Sequence, residues 1–415
     1  MARLLILNEC YPDDLTSGRD LRVYRLCSEL IRVHECFLVS FDNERRSKDL
    51  IPLNFSDTET IPDIRRMKPS FRRHFRLSNE YFMRCSWPRG FKRALDKIDV
   101  LQGKWGIEGV INFTAAMSEL ILHLKQAKLL DKTDSDTLTL ERRLNSRGTA
   151  MSKRERVDLA LKLYRQRSRE KSLVRRFNAV TTISESDRNK FIELSACDPS
   201  RVRIVKNGVD EVALDQGVRR NGSSRSVVFW GNLDFPPNWT AINYFYESIF
   251  KPFLSGQNID FYIVGRGGRS HLVNMTEDPR VKLVGFKENL FEFLIDKGVM
   301  VNPMIEGSGL KNKVLEAFAI GLPVVSTSLG TEAIQATPNK ALIVADDPKK
   351  FADAVLELLS NEAKALEITN AAQHFVKDQH NWSGIGSDFM SVVSEVFGDT
   401  SAIQHPVSEM VMSEP

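Results

Sequence analysis

Cysteine is scarce in this chain: five among 415 residues, at positions 10, 27, 36, 85 and 197, with no C-x-x-C spacing. An odd, scattered set excludes a disulfide framework and a cysteine zinc site, and predicts reduced thiols. Long apolar runs are missing too. No stretch reaches the roughly 18 consecutive apolar residues of a spanning helix. The opening MARLLILNECYPDD has no basic n-region, apolar h-region or small-residue cleavage site. The expectation is a cytoplasmic protein. Compositional extremes are also absent: 42% of residues are hydrophobic and 27% charged, which excludes the collagenous and disordered classes. At about 100 to 200 residues per domain, the length predicts two or three domains, each burying its own core.

The net charge is only +4, but it is unevenly spread. Residues 1–200 carry 38 basic and 28 acidic side chains and residues 201–415 carry 20 and 26, so the halves differ as +10 and −6. The basic excess gathers in two runs. Residues 65–97 hold eleven basic and two acidic residues, and 142–176 hold thirteen and three.

Along the chain, short β-rich runs alternate with amphipathic stretches. RLLILN, GRDLRVYRLCSELIR and HECFLVSF read as strand, helix, strand. GVINFT, AAMSELILHLKQ and AKLLDKTD repeat the pattern, as do AVTTIS, ESDRNKFIELS and VRIVKNG. After a connector near 205–225, SVVFWGNL, FYIVGRG, VKLVGF, VMVNPM, PVVSTS and ALIVAD give six further strands separated by helices. This alternation predicts α/β architecture: two Rossmann-like, doubly wound parallel domains facing one another across a cleft. The expected divisions are 1–205, 206–385, a helix over 386–400 that can return to the first domain, and a disordered tail over 401–415.

In such sheets ligands sit beyond the carboxyl ends of the strands. PMIEGSGLKNKVLEAFAIGLPVVSTS, residues 303–328, places Gly307, Ser308, Gly309 and Leu310 after a strand and before a helix, a setting suited to phosphate. Lys311 and Lys313 follow in the expected first turn, where the helix dipole disfavours cations unless an anion is bound nearby. Glu316 is a carboxylate in an apolar run and suits the vicinal hydroxyls of a ribose. Each part also has a plain structural reading, as a turn, a solvated lysine or a surface glutamate. In the first half, Asp134 stands near the end of the strand KLLDKT. It is placed either to orient or deprotonate a hydroxyl or, with Asp136, to cap the following helix. His123 falls within ILHLKQ and reads as a satisfied helix histidine.

These stretches resemble the retaining glycosyltransferases of GT-B fold, group 1 or family four. The resemblance is carried by VRIVKNGVD (202–210), VVFWGNLDFPPN (227–238), YIVGRG (262–267), VKLVGF (281–286), the 303–328 block and TEAI (331–334). It is weaker in the first half, at Gly18-Arg19, DKTDSD (131–136) and TTISESDR (181–188). It implies a nucleotide-sugar donor held by the second domain and an acceptor held by the first. Glu316 matches the family's second glutamate, the ribose contact. Ser308 stands where the first glutamate is usual, and Glu306 is displaced by two positions. The family's Arg and Lys near the first strand of the second domain are missing from GNLDFPPN. The resemblance therefore gives the diphosphate to Lys311 and Lys313, with Arg266 and Arg269 as alternatives and Gly231, Asn232, Gly18 and Arg19 nearby. Asp134, Glu306 and Lys313 are the catalytic candidates. The Asp-x-Asp triplet Asp134-Ser135-Asp136 lies in the first half, away from the donor strands, so no metal and no further cofactor is expected.

The implied function is transfer of a sugar to a glycan or polyprenyl-linked acceptor in bacterial polysaccharide or glycolipid synthesis. The alternatives are a GT-B nucleotide-sugar epimerase, or a non-catalytic protein that binds a nucleotide sugar or nucleic acid; no nucleic-acid partner is expected on the primary reading. Residues 65–97 interleave cations with Phe71, Phe75, Tyr81, Phe82, Trp87 and Phe91. That mixture suits an anionic membrane surface, such as the inner face of the plasma membrane. The basic helix 154–176 reads as solvated.

Overall fold

The computed structural model describes residues 1–12, 18–42, 53–67, 82–147, 151–209, 213, 224–268, 272, 275 and 277–398. Two all-parallel sheets organise them. The first has strands β1 (Arg3–Asn8), β2 (Glu35–Phe41), β3 (Asp57–Ile61), β4 (Gly109–Asn112), β5 (Ala127–Asp131), β6 (Ala179–Thr182) and β7 (Val202–Ile204), in the order β3-β2-β1-β4-β5-β6-β7. The second has β8 (Ser226–Trp230), β9 (Asp260–Val264), β10 (Val281–Gly285), β11 (Val299–Asn302), β12 (Val324–Ser326) and β13 (Ile343–Val344), in the order β10-β9-β8-β11-β12-β13. Each is the doubly wound arrangement, with helices on both faces. The central strands are nearly continuous apolar runs because both faces are covered: five of the six residues of RLLILN are buried, and all of SVVFW.

The order reverses between β1 and β4 and again between β8 and β11. Crevices at these switch points receive ligands in open α/β sheets. Gly231 and the 303–311 loop therefore meet at the second crevice, while Glu9 and Thr114 meet at the first.

The helix Trp382–Phe397 starts four residues before the expected 386. Its Trp382, Ile385, Phe389, Val392 and Val393 bury against Leu4, Ile6, Leu26, Leu38 and Leu129 of the first domain. The chain thus crosses between the sheets twice, and the crossings are tied together. Val209 N donates to His380 O at 2.9 Å, and His380 Nδ1 lies 2.7 Å from Asn207 O.

Several expectations need correction. AAMSELILHLKQ is a 3-10 helix over Ala115–Leu120 only, because β5 begins at Ala127 and leaves no room for three α-turns. His123 lies in the turn after it and pairs with Asp99 at 2.6 Å. Most of the connector, 210–212 and 214–223, lies outside the described residues, as do 68–81, Arg269 and the tail 401–415. Ala213 within the connector is fully buried. The aromatic residues of the first basic run do not face a membrane where they are described. Trp87 and Phe91 are core residues at 6% and 8% exposure, and Trp87 Nε1 donates to Met67 O at 2.7 Å. Phe71, Phe75 and Tyr81, and the side chain of Phe82, are outside the described set. Among the described residues no helix is long and apolar enough to cross a membrane.

Candidate donor and acceptor cleft

Lys313 is a deeply set cation at the second crevice. It sits in the first turn of the helix Asn312–Ala319, whose Val314, Leu315, Ala317 and Phe318 are buried and fix its rotation. The ammonium donates to Asn238 Oδ1 at 2.7 Å and lies 3.9 Å from the ring centroid of Phe229 in β8. A Cβ on Gly231 would come within 3.3 Å of it. Burial lowers its pKa to about 7, Lys311 adds to the effect, and Glu316 opposes it. Such a cation is held partly discharged. Asn238 also donates to Asn232 O at 2.8 Å, so the GNL turn, the helix Pro236–Phe245 and Lys313 form one unit.

Lys311 is placed differently from the expectation. It is the N-cap residue, not a first-turn residue, with φ −91° and ψ 88°. Its ammonium turns back onto its own loop, donating to Ser308 O at 2.5 Å and Gly309 O at 3.0 Å. Burial lowers its pKa while Asp134 and Asp187 of the first domain oppose the shift. Glu316 accepts a hydrogen bond from Trp230 Nε1 at 2.7 Å, which aims the carboxylate from the helix toward the end of β8. Leu310 is 8% exposed within the core, so only its backbone is available to a ligand. Glu306 is 1% exposed and accepts from Thr240 Oγ1 at 2.8 Å. Arg266 is exposed at the end of β9, its guanidinium 3.9 Å from the centroid of Phe286.

The first domain closes directly on this loop. Ser308 Oγ shares a hydrogen bond of 2.6 Å with Thr139 Oγ1 and donates to Ser135 O at 3.1 Å. Arg142 donates to Gly307 O at 2.9 Å and pairs with Glu332 at 2.6 Å. Gly309 has φ +73°, and a Cβ there would stand 1.8 Å from Asp134 Oδ1, so only glycine lets the two domains approach this closely. Gly18 plays the same part on the other side: its Cβ would meet Asn312 Nδ2 at 1.8 Å. Gly18 starts the helix Gly18–Val33, and the neighbouring Arg19 is paired with Glu9 at 3.2 Å.

Asp134 lies three residues beyond β5 and does not cap the next helix, nor does Asp136. The helix Asp136–Arg147 is capped by Ser135, whose Oγ accepts from Leu138 N at 3.2 Å, while the amides of Asp136 and Thr137 donate to the buried Glu170 at 2.8 and 3.3 Å. Asp134 Oδ1 is buried without a hydrogen-bond partner among the described residues. Burial raises the Asp134 pKa, with Lys311 opposing; burial and then Asp134 raise Asp187 to about 6. Asp187 accepts from Ser135 N at 2.8 Å. Lys311, Asp134 and Asp187 thus form one cross-domain ionisable group.

The sequence reading missed Trp230, Asn238, Thr139, Arg142 and Asp187. Asn238 had a signal, a polar residue in the first turn after a strand end. Arg142 was hidden among the thirteen cations of the 142–176 run. At the first crevice it also missed Glu9. Although burial opposes it, the bonds from Thr114 and Arg65 and the charges of Arg19 and Arg65 hold that carboxyl down at about 2.

Residues 224–361 match the family described as glycosyl transferases, group 1. An uncharacterised 44.6 kDa protein in the cps region of Klebsiella pneumoniae is 23% identical over 168 residues, 38% of this chain; the chain spans 42% of that relative's length. Among solved structures, HepE of Anabaena in complex with UDP and glucose superposes with a TM-score of 0.62 at 11% identity, covering 95% of this chain and 100% of its own. Sucrose-phosphate synthase from Thermosynechococcus elongatus gives 0.66 at 14%, covering 96% and 99%. The apo lipopolysaccharide outer core galactosyltransferase WaaB gives 0.62 at 10%, covering 95% and 99%. At these identities the structural likeness speaks to the fold, and the family match to the second domain. The second domain carries the signature of the group 1 glycosyltransferases over residues 224–361, and both domains together have the GT-B fold.

Proposed function

We propose that this protein transfers a sugar, with retention of anomeric configuration, from a nucleoside diphosphate sugar bound at Gly231, Lys313 and Glu316 to a glycan or polyprenyl-linked acceptor offered by the first domain. The carrying observation is the buried Lys313 ammonium, held between Asn238 and Phe229 with a pKa near 7, opposite a carboxylate braced by Trp230. A diphosphate restores charge to that lysine, and Glu316 accepts the ribose hydroxyls. As the leaving group departs, Lys313 and the amides of the glycine loop stabilise its charge. Lys311 holds the loop in shape. Asp134, aimed at Gly309 from the first domain, orients the acceptor hydroxyl. HepE was solved with UDP-glucose, and the relative in a cps region favours polysaccharide synthesis.

Glu316→Ala is expected to weaken binding of the productive nucleoside diphosphate sugar by about 10- to 100-fold, the cost of losing hydrogen bonds to a charged acceptor. Glu316→Gln keeps the Trp230 contact and is expected to lose less. The measurement is calorimetric titration over a panel of nucleotide sugars, with donor hydrolysis as the activity readout. Unchanged affinity in Glu316→Ala would overturn the donor assignment.

A membrane-facing surface is proposed on the second basic run as well. Helix Lys153–Arg176 exposes Val157 at 59%, Leu161 at 38% and Tyr164 at 58%. The i, i+4, i+7 spacing puts them on one face, among Lys153, Arg154, Arg156 and Arg165. Flotation with anionic liposomes is expected to be salt-sensitive and to fail for Val157→Glu/Leu161→Glu. Failure of the unaltered protein to float at any salt concentration would remove membrane association from the reading.

A further inference from the structure

The opposite side of the same helix, at Asp158, Leu159 and Lys162, forms part of a pocket of about 680 Å³ between the two domains. Leu140 and Arg143 of helix Asp136–Arg147 complete the first-domain wall, and Trp239 of the second domain faces them. We propose that this pocket binds a neutral sugar unit of the acceptor glycan, at a subsite distinct from the reacting hydroxyl. The proposal rests on the glycosyltransferase reading above.

Position supports it first. Thr139, one residue before Leu140, holds Ser308, and Arg142, one before Arg143, holds Gly307. On the other wall Trp239 precedes Thr240, which holds Glu306. The pocket is therefore built on the residues that flank the donor loop. A glycan whose terminal hydroxyl reaches that loop can lay an earlier unit here.

Chemistry supports it second. Trp239 is partly exposed and presents a broad apolar ring to the C–H face of a pyranose. Asp158 and Lys162 form no ion pair or hydrogen bond among the described residues and offer an acceptor and three donors to hydroxyls. The rim carboxylate of Glu155 is already committed, accepting from Ser152 N at 2.9 Å in a capping box. The lining charges balance, two acidic against two basic, so a polyanion gains nothing from the field. Leu140 and Leu159 supply an apolar floor. Because the stacking ring comes from one domain and the polar groups from the other, a bound sugar bridges the cleft.

The test uses the full chain with maltose, cellobiose and N,N′-diacetylchitobiose as probes, followed by saturation-transfer NMR in the presence of UDP, GDP or ADP. At least one disaccharide is expected to bind. Trp239→Ala should weaken it at least tenfold, Trp239→Phe should retain most of it, and the exposed Asp158→Asn, which leaves the fold's core untouched, should weaken it severalfold. Nucleoside diphosphate affinity should be the same in all variants. Absence of disaccharide binding to the unaltered protein, or binding unchanged in both Trp239→Ala and Asp158→Asn, overturns the subsite. Failure of all three nucleoside diphosphates to bind the unaltered protein is a separate result and overturns the donor reading instead.

Discussion

Lys313→Ala is expected to lower kcat/KM for sugar transfer by about 10²- to 10³-fold, the range for removing one preorganised group that stabilises charge developing in a transition state. The side chain sits where the crevice between β8 and β11 opens, and its neighbours already fix its position. Little reorganisation is needed when the leaving group's charge develops. The lysine also gives a pH signature. With its pKa lowered to about 7 from an ordinary 10.5, the ammonium is mostly neutral at pH 8 in the empty cleft. A diphosphate favours the charged form, so donor binding at pH 8 is expected to take up close to one proton. Calorimetry in two buffers of different ionisation heat measures this; no uptake would count against Lys313 as the diphosphate cation.

Stability should move the other way. Between about 7 and 10.5 the unfolded chain holds a proton on this lysine that the folded chain lacks, so stability rises with pH across that window. Below it the folded protein bears the full cost of a buried ammonium. Lys313→Met is therefore expected to lose activity to the same degree as Lys313→Ala yet resist thermal unfolding better, with the largest gain below pH 7.

The second large effect is on folding. Arg22 and Asp131 have side chains 0% and 2% exposed and are joined by two bonds of 2.9 and 2.7 Å. Arg22 also donates to Lys206 O and Asn207 Oδ1, both at 2.8 Å, and Thr181 Oγ1 donates to Asp131 at 2.6 Å. One guanidinium thus joins the first helix, β5 and the crossing between domains. Arg22→Ala leaves a carboxylate buried without its cation, which costs about 3–5 kcal/mol. A fall in Tm of roughly 10 °C is expected. Arg22→Met/Asp131→Leu removes both charges and should recover part of the loss. If Arg22→Ala unfolds at the temperature of the unaltered protein, the buried pair contributes nothing.

The fold was legible where burial imposed a plain pattern. RLLILN, SVVFW and VMVN read as strands because both faces of a parallel sheet are covered. Gly307 to Lys313 was legible as the turn between β11 and the next helix because its glycines stand just beyond a strand; the anion site there is the proposal made above. Composition misled wherever side-chain direction decided the outcome. Trp87 and Phe91 were counted with the cations around them, yet the cap residue Trp87 and Phe91 on helix Pro88–Trp105 turn inward while Arg89, Lys92 and Arg93 stay in solvent. Lys311 looked equivalent to Lys313, but a cap residue has a non-helical backbone, and its ammonium curls onto the loop. Thr139, Arg142 and Asp187 act through contacts across a sequence separation of more than a hundred residues or between separate elements, and a local pattern does not encode such partners.

Synthesis order adds a constraint of its own. The helix Trp382–Phe397 belongs in space to the first sheet but is made after the second is complete. While the chain emerges, Leu4, Ile6 and Leu38 have no covering from it, and the first half waits with an open apolar face. The second sheet, contiguous in sequence, closes without that delay. The usual amino-to-carboxyl folding order of a two-domain protein therefore cannot complete the first half, whose covering helix is the last one made.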